Sequence, residues 1–245
     1  MSKILEMSQG EIVFLDPEQI NWQLSAQEIL YIFKVLGGLW LYDYDAAKEG
    51  RVGLHAKLKS ERCSDGFLYS KIVLKNSNIR TLMAKQLVSR FNELDLPKPD
   101  RVAGIPKGAT KLGIDFARIM GVEIAEMAKE DGCIKMITTL KPNETLLLIE
   151  DFCTKGTGFK EAVRDIKSKQ PDVIILPIEP VIINRGGFQE IQVDGIGSFK
   201  IIAAAEHRIN DWDPSECPLC EMGSERIKPK AVEENWERIM TSQLT

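Results

Sequence analysis

No stretch of the 245-residue sequence is apolar enough to cross a membrane: the longest near-apolar run, residues 35–42, is broken by Gly37 and Gly38. A spanning helix needs about 20 such residues. The start, Met1-Ser2-Lys3-Ile4-Leu5-Glu6, sets an acid where a secretory signal carries its apolar core. The expected address is therefore the cytoplasm. Blocks of five like charges are also missing, because 32 basic and 36 acidic side chains are mixed along the chain to a net −4. That leaves a nucleic-acid arm or a polybasic membrane patch without support. Cysteine is sparse and odd in number, at Cys63, Cys133, Cys153, Cys217 and Cys220. In a chain without a signal this reads as reduced thiols rather than a disulfide framework. Internal repeats and low-complexity tracts are absent as well. What remains is 44% hydrophobic and 28% charged, the balance of a globular protein rather than of disorder, collagen or a membrane bundle.

The chain reads in three segments: a helical leader over residues 1–69, an α/β core over 70–205, and an extension over 206–245. Ser25-Ala26-Gln27-Glu28 has the form of a capping box, in which each end satisfies the other's backbone N–H. Ile29, Leu30, Phe33 and Leu36 follow at helical spacing, with Gly37-Gly38 as the stop. Helices are predicted over 80–94, 110–120 and 159–169, and strands over 101–105, 145–149, 173–176, 181–183 and 199–204. Strands that are continuously apolar suit burial on both faces, as in a parallel sheet covered by helices.

The most informative stretch is LLLIEDFCTKGTGF, residues 146–159. An apolar strand ends in Glu150-Asp151, a Thr/Gly turn follows, and then a helix starts. The turn over residues 154–158 can aim backbone N–H groups and the Thr154 and Thr157 hydroxyls at one anion, and the helix adds its N-terminal dipole. Acceptor carboxylates beside a phosphate cradle suit a phosphorylated sugar. Neither the Walker pattern nor the dinucleotide G-x-G-x-x-G is present.

This run resembles the ribose-phosphate signature of the type I phosphoribosyltransferases. The resemblance implies 5-phosphoribosyl 1-pyrophosphate (PRPP) as substrate, with Glu150 and Asp151 on the ribose hydroxyls. Thr154, Lys155, Gly156, Thr157 and Gly158 would hold the 5′-phosphate; the family usually has Ser or Thr where Gly158 stands. Three further segments resemble the orotate phosphoribosyltransferases within that family. LKSERCSDGF, residues 58–67, matches their amino-terminal signature, with Lys59 for PRPP and Ser60 near the base. Glu61 replaces a preferred glycine there, and a turn needing φ > 0 would be strained by it. VAGIPKGA, residues 102–109, resembles the pyrophosphate loop, in which Gly104 would let the backbone approach the ligand and Lys107 with Gly108 would meet the pyrophosphate. IINRGG, residues 182–187, offers Arg185 to a carboxylate-bearing base, with Asn184 where the family has Asp. Taken singly, the Lys59 segment reads as a solvated loop and Arg185 as a surface arginine in a turn.

The implied fold is the type I phosphoribosyltransferase fold, a mostly parallel sheet flanked by helices with a hood from both chain ends. The implied reaction joins a nucleobase, orotate in first place, to the ribose of PRPP and releases pyrophosphate. The open alternatives are another purine or pyrimidine base, or a PRPP-binding regulator without turnover. Mg²⁺ would accompany PRPP, Asp151 would act as acid/base with Glu150 able to exchange roles, and a homodimer is implied. The family's mobile lid is cut short here: Lys129-Glu130 is kept, but a second lysine and a histidine are missing. Lys129 stays a catalytic candidate. Cys217-Pro218-Leu219-Cys220 has the spacing of half a zinc site, and His207 is a third ligand in reach along the sequence. No second half is visible, so zinc is the disfavoured reading. His55 reads as structural or exposed, and Trp212 and Trp236 as anchors of the tail.

Overall fold

Strands rich in consecutive Leu, Ile and Val have no polar face to offer water, so they are expected in the middle of a sheet. The computed structural model puts them there. It describes residues 3–244, Glu233 by its backbone alone, so Met1 and Ser2 of the start read for a signal lie outside the described residues. Two units divide the chain: one comprises residues up to Leu36 and Ser70–Arg208, the other Gly37–Tyr69 and the chain from Ile209 on.

The strands of the first unit are β1 Arg101–Gly104, β2 Glu123–Ile124, β3 Met127–Glu130, β4 Cys133–Met136, β5 Thr145–Cys153, β6 Ile174–Ile175, β7 Ile178–Asn184, β8 Glu190–Val193 and β9 Gly197–Glu206. Its main helices are α1 Ala26–Val35, α2 Ser77–Phe91, α3 Thr110–Met120 and α4 Thr157–Lys169. Seven strands form one sheet in the order β8-β9-β7-β5-β1-β2, with β6 also on β5. Every pairing is parallel except β8 with β9. From β1 the chain crosses through α3 to β2 on one side, then returns to β5 on the other side of β1. Strand order thus reverses between β1 and β5, and open α/β sheets take ligands at the carboxyl ends of such a pair. Strand β5 runs four residues beyond the predicted end at 149, because β7 continues the ladder to Asn184 opposite Cys153. The two acids therefore sit within the strand's last residues.

The capping box forms as read: the Ser25 hydroxyl accepts from Glu28 N–H, and the Glu28 carboxylate accepts from Ser25 N–H at 2.7 Å. Ile29, Ile32 and Phe33 are fully buried, and Phe33 meets Phe152 edge-on with centroids 5.5 Å apart. Arg90 of α2 donates to the Leu24 carbonyl at 2.8 Å and to the Ala204 carbonyl of β9 at 3.1 Å. The boundary expected at 69/70 falls between the two units, the one expected at 205/206 lies three residues later, and a further one follows Leu36. The leader up to residue 36 is part of the core because its apolar face is buried there, and His207 N–H still bonds the Asn184 carbonyl at 3.1 Å.

The second unit draws strands from both ends of the chain. Asp211–Trp212, Cys63–Ser64, Leu54–Lys57 and Glu225–Ile227 form a four-stranded sheet in that order. Trp236, on the helix Glu233–Thr241, donates its indole N–H to the Gly37 carbonyl at 3.0 Å and packs on Phe67 and Tyr69. It anchors the tail as expected, and Trp212 joins the same apolar cluster. Glu61 adopts φ +66°, so the turn keeps the left-handed geometry that a glycine would favour. Ion pairs to Lys57 at 2.5 Å and Lys228 at 2.8 Å hold it there. Among the described residues no helix is long and apolar enough to cross a membrane.

Candidate functional site

The Thr154–Gly158 turn begins where β5 ends and closes into α4. Gly156 takes φ +61°, and Thr157, Gly158 and Phe159 open the helix, whose first N–H groups have no intrahelical acceptor. Lys155 and Thr157 are exposed, while Thr154 and Gly158 are partly buried. The turn is built on a staple to the end of β7: the N–H groups of Arg185 and Gly186 both donate to the Cys153 carbonyl, at 2.9 and 3.2 Å. A Cβ on Gly186 would stand 1.8 Å from the Thr154 carbonyl oxygen, so only glycine allows this approach.

The loop after β1 reaches the same place from the neighbouring strand. Lys107 and Gly108 are exposed, and the Pro106–Lys107 peptide is cis. A Cβ on Gly108 would lie 2.2 Å from Asp151 Oδ2, so this loop rests directly on the second acid. Gly104 has a different part from the expected one. It is buried, and its missing Cβ leaves room for the Ala109 carbonyl oxygen, 2.0 Å from that position, while Gly113 of α3 closes on its backbone. Gly104 lets α3 pack on β1; the chain itself fills the space assigned to ligand.

Glu150 turns toward a partner that sequence reasoning missed. Glu179 on β7 is fully buried, and Glu150, Glu179 and Cys153 bring their ligand atoms within 4.8 Å of one another. The Cys153 thiol donates to Glu179 Oε2 at 3.7 Å. Burial, then the charge and hydrogen bond of Glu179, raise the Glu150 carboxyl well above the usual range, and Glu179 is raised by its own burial. The signal for Glu179 was a lone acid inside the apolar run of β7. A carboxyl that folds with a raised pKa gives its full contribution below the unfolded value near 4.5 and loses it as pH rises toward the folded value. Glu179→Gln is therefore expected to melt higher than the parent by an amount that grows from pH 5 to pH 8, roughly 2–4 °C per kcal/mol released. Thermal melts across that range check it; a difference that is flat with pH would sink it.

Arg185, expected to meet the base, is 8% exposed, and Asn184 is fully buried. Asn184 Nδ2 donates to the Phe188 carbonyl at 2.8 Å and to Glu206 Oε1 at 3.1 Å, while its Oδ1 accepts from Gly187 N–H at 3.2 Å. Aspartate could not make the two donations, which explains the departure at this position. Lys129 is exposed on β3, which pairs with β4 around a two-residue Asp131-Gly132 turn with φ +50° and +84°. This hairpin is tied to α4: Ile134 N–H donates to Glu161 Oε1 at 2.9 Å and Met136 N–H to Asp165 Oδ2 at 2.8 Å. Ile134 Cδ1 lies 3.5 Å from where a Gly158 Cβ would stand. Lys59 and Ser60 are exposed at the tip of the turn before Cys63–Ser64, in the second unit.

The expected zinc ligands change. His207 belongs to the first unit and is not in the group that gathers around Cys217 and Cys220; that group is completed by His55 and Cys63, both fully buried. Strand pairing and the sheet of the second unit bring them together, which the spacing of 55, 63, 217 and 220 does not disclose.

The fold is that of the type I phosphoribosyltransferases. UMP synthase of Leishmania donovani superposes with a TM-score of 0.57 at 16% identity, over 77% of this chain and 38% of that one. Orotate phosphoribosyltransferase from Aeropyrum pernix superposes with a TM-score of 0.54 at 14% identity, over 73% and 93%. By sequence the chain is a relative of the orotate phosphoribosyltransferases. It is 27% identical over 185 residues to that of a Nitratiruptor species, covering 71% of this chain and 90% of the relative. It is 28% identical over 189 residues to that of Caldicellulosiruptor saccharolyticus, covering 76% and 91%. No protein-family model matches the sequence.

Proposed function

We propose that the chain transfers the 5-phosphoribosyl group of PRPP to a nucleobase, orotate in first place, releasing pyrophosphate and forming a nucleoside monophosphate. The observation that carries this reading is the meeting of Gly108 and Asp151 at the reversal of strand order, with the Thr154–Gly158 turn opening α4 alongside. Thr154, Lys155, Gly156, Thr157 and Gly158 take the 5′-phosphate through backbone N–H groups and hydroxyls. Lys107 and Gly108 meet the pyrophosphate, and Lys129 adds charge from the hairpin. Asp151 accepts from a ribose hydroxyl and handles the base proton, while Glu150, raised by burial and Glu179, offers a donor rather than a second charge. Arg185 orients a carboxylate on the base by charge-assisted hydrogen bonds. Lys59 and Ser60 keep the PRPP and base roles that the resemblance gives them as part of this proposal.

Departure of pyrophosphate builds positive character on the ribose and negative charge on the leaving group, and preorganised cations and N–H groups lower that barrier. The carboxylate of Asp151 is a hard oxygen donor of the kind Mg²⁺ accepts. When bound with PRPP, Mg²⁺ supplies neutralisation of leaving-group charge. A homodimer and a cytoplasmic address belong to the same reading.

A second reading has one observation in its favour. The hairpin in the lid position is short and tied to α4 by two carboxylates, and a lid that does not close leaves PRPP open to water. The alternatives are then another base or PRPP binding without turnover. The test is PRPP-dependent pyrophosphate release with Mg²⁺ over orotate, uracil, adenine, guanine, hypoxanthine and xanthine. Turnover with orotate supports the proposal, and turnover with another base replaces the acceptor. Calorimetric PRPP binding without turnover favours a regulator, and no binding overturns the phosphate-site reading.

A further inference from the structure

The second unit gathers four soft or borderline ligands at one point. His55 sits on the strand Leu54–Lys57 and Cys63 on its antiparallel neighbour, while Cys217 and Cys220 flank the first turn of the short helix Pro218–Glu221. Their ligand atoms all lie within 4.8 Å of one another. Cys63 Sγ is 3.7 Å from Cys220 Sγ, and His55 Nε2 is 3.7 Å from Cys217 Sγ and 3.5 Å from Cys220 Sγ. Around a tetrahedral zinc with Zn–S near 2.3 Å and Zn–N near 2.05 Å, the S···S edge is about 3.8 Å and the S···N edge about 3.5 Å. These three distances lie within about 0.2 Å of the edges of a zinc tetrahedron, and the other pairs lie within 4.8 Å.

Hydrogen bonding also selects the histidine tautomer that can ligate. Ser224 Oγ donates to the Gly53 carbonyl at 3.0 Å, which uses its only hydrogen. At 2.9 Å from His55 Nδ1 the same oxygen can only accept, so the ring proton is on Nδ1 and the Nε2 lone pair faces the thiols. This is the outer partner that metal-bound histidines characteristically have. Arg226, opposite His55 in the strand register, supplies positive charge beside a centre that three thiolates and one dication would leave net negative.

We propose that His55, Cys63, Cys217 and Cys220 bind one structural Zn²⁺ that holds the second unit together. Four protein ligands leave no open position for substrate, so the site is structural and not catalytic. The unit has only about 70 residues, a size at which an apolar core alone gives little stability and metals or disulfides commonly supplement it. The ion joins the two separate stretches of chain that form it, 154 residues apart between Cys63 and Cys217 along the sequence.

The test is metal analysis of the full chain purified without chelator, followed by Co²⁺ substitution. About one zinc per chain is expected, released by a mercurial thiol reagent. The Co²⁺ form should show tetrahedral d–d bands and sulfur-to-metal charge transfer of three-thiolate intensity. Cys220→Ser should lower zinc to under about a tenth per chain and lower the melting temperature, while Cys133→Ser, exposed and outside the cluster, should leave both unchanged. If Cys220→Ser does not fold, the Co²⁺ spectrum of the parent decides. Five freely titrating thiols with no bound metal would overturn the proposal. So would zinc retained unchanged by Cys220→Ser, or an octahedral Co²⁺ spectrum.

Discussion

Gly186→Ala is expected to cut PRPP-dependent pyrophosphate release by about 100-fold, the scale on which a displacement of about 1 Å acts in a preorganised site. The added methyl would stand 1.8 Å from the Thr154 carbonyl oxygen, which is backbone and cannot rotate away. The staple of Arg185 and Gly186 N–H groups on Cys153 must then open or shift. Either movement displaces the start of the Thr154–Gly158 turn and the backbone of Arg185 together. The cost in stability is that of local overpacking, about 1–3 kcal/mol. Gly187→Ala is the control. Its φ of +70° makes alanine costly to the backbone, yet nothing lies within 4 Å of the added carbon. It should lower the melting temperature and leave the KM for PRPP near the parent value. Steady-state kinetics and melts of both variants check the pair; equal losses of activity would show that the contact with Thr154 is irrelevant.

The elements that position this site were legible because local chemistry and tertiary demand agree in them. The capping box at Ser25–Glu28, the apolar run of β5 and the helix predicted over 110–120, which Gly121 ends at φ +64°, each satisfy in place what the sequence pattern asks for. What escaped the sequence is long-range. Glu179 reads as an ordinary acid until β7 is laid against β5, and then its charge adds to burial in raising Glu150. Cys63 and His55 read as isolated residues until a sheet pairs strands from both ends of the chain. Gly104 matched a ligand-binding motif, yet its empty side is taken by Ala109 and Gly113. A motif records that a glycine is needed there but not which atoms need it. Asn184 and Glu61 both departed from expectation for stated reasons: two donations in one case, two ion pairs in the other.

The departure at Gly158 leads to the most discriminating expectation. A Cβ on Gly158 would lie 2.6 Å from Glu150 Oε1, so the longer acid occupies the volume that a Ser or Thr side chain would fill. The two positions are thus one steric unit. Restoring the hydroxyl alone, as Gly158→Thr, should therefore lower kcat/KM for PRPP by about 100-fold, despite adding a phosphate donor. It forces Glu150 either back onto Glu179, whose charge already disfavours its ionisation, or into the space proposed for the ribose. Glu150→Asp alone should cost about 10-fold, because the shortened acid leaves a gap and a weaker bond across it. In the double variant the carboxylate withdraws by one methylene and the threonine fits. Activity should then return to within about 10-fold of the parent, a coupling of about 2.7 kcal/mol at 1.36 kcal/mol per tenfold. Independent positions would instead multiply their losses to about 1000-fold, and additivity within about 0.5 kcal/mol would sink the steric account. If the chain binds PRPP without turnover, the same cycle is read from calorimetric affinity, where the single threonine variant should weaken binding and the double variant regain it.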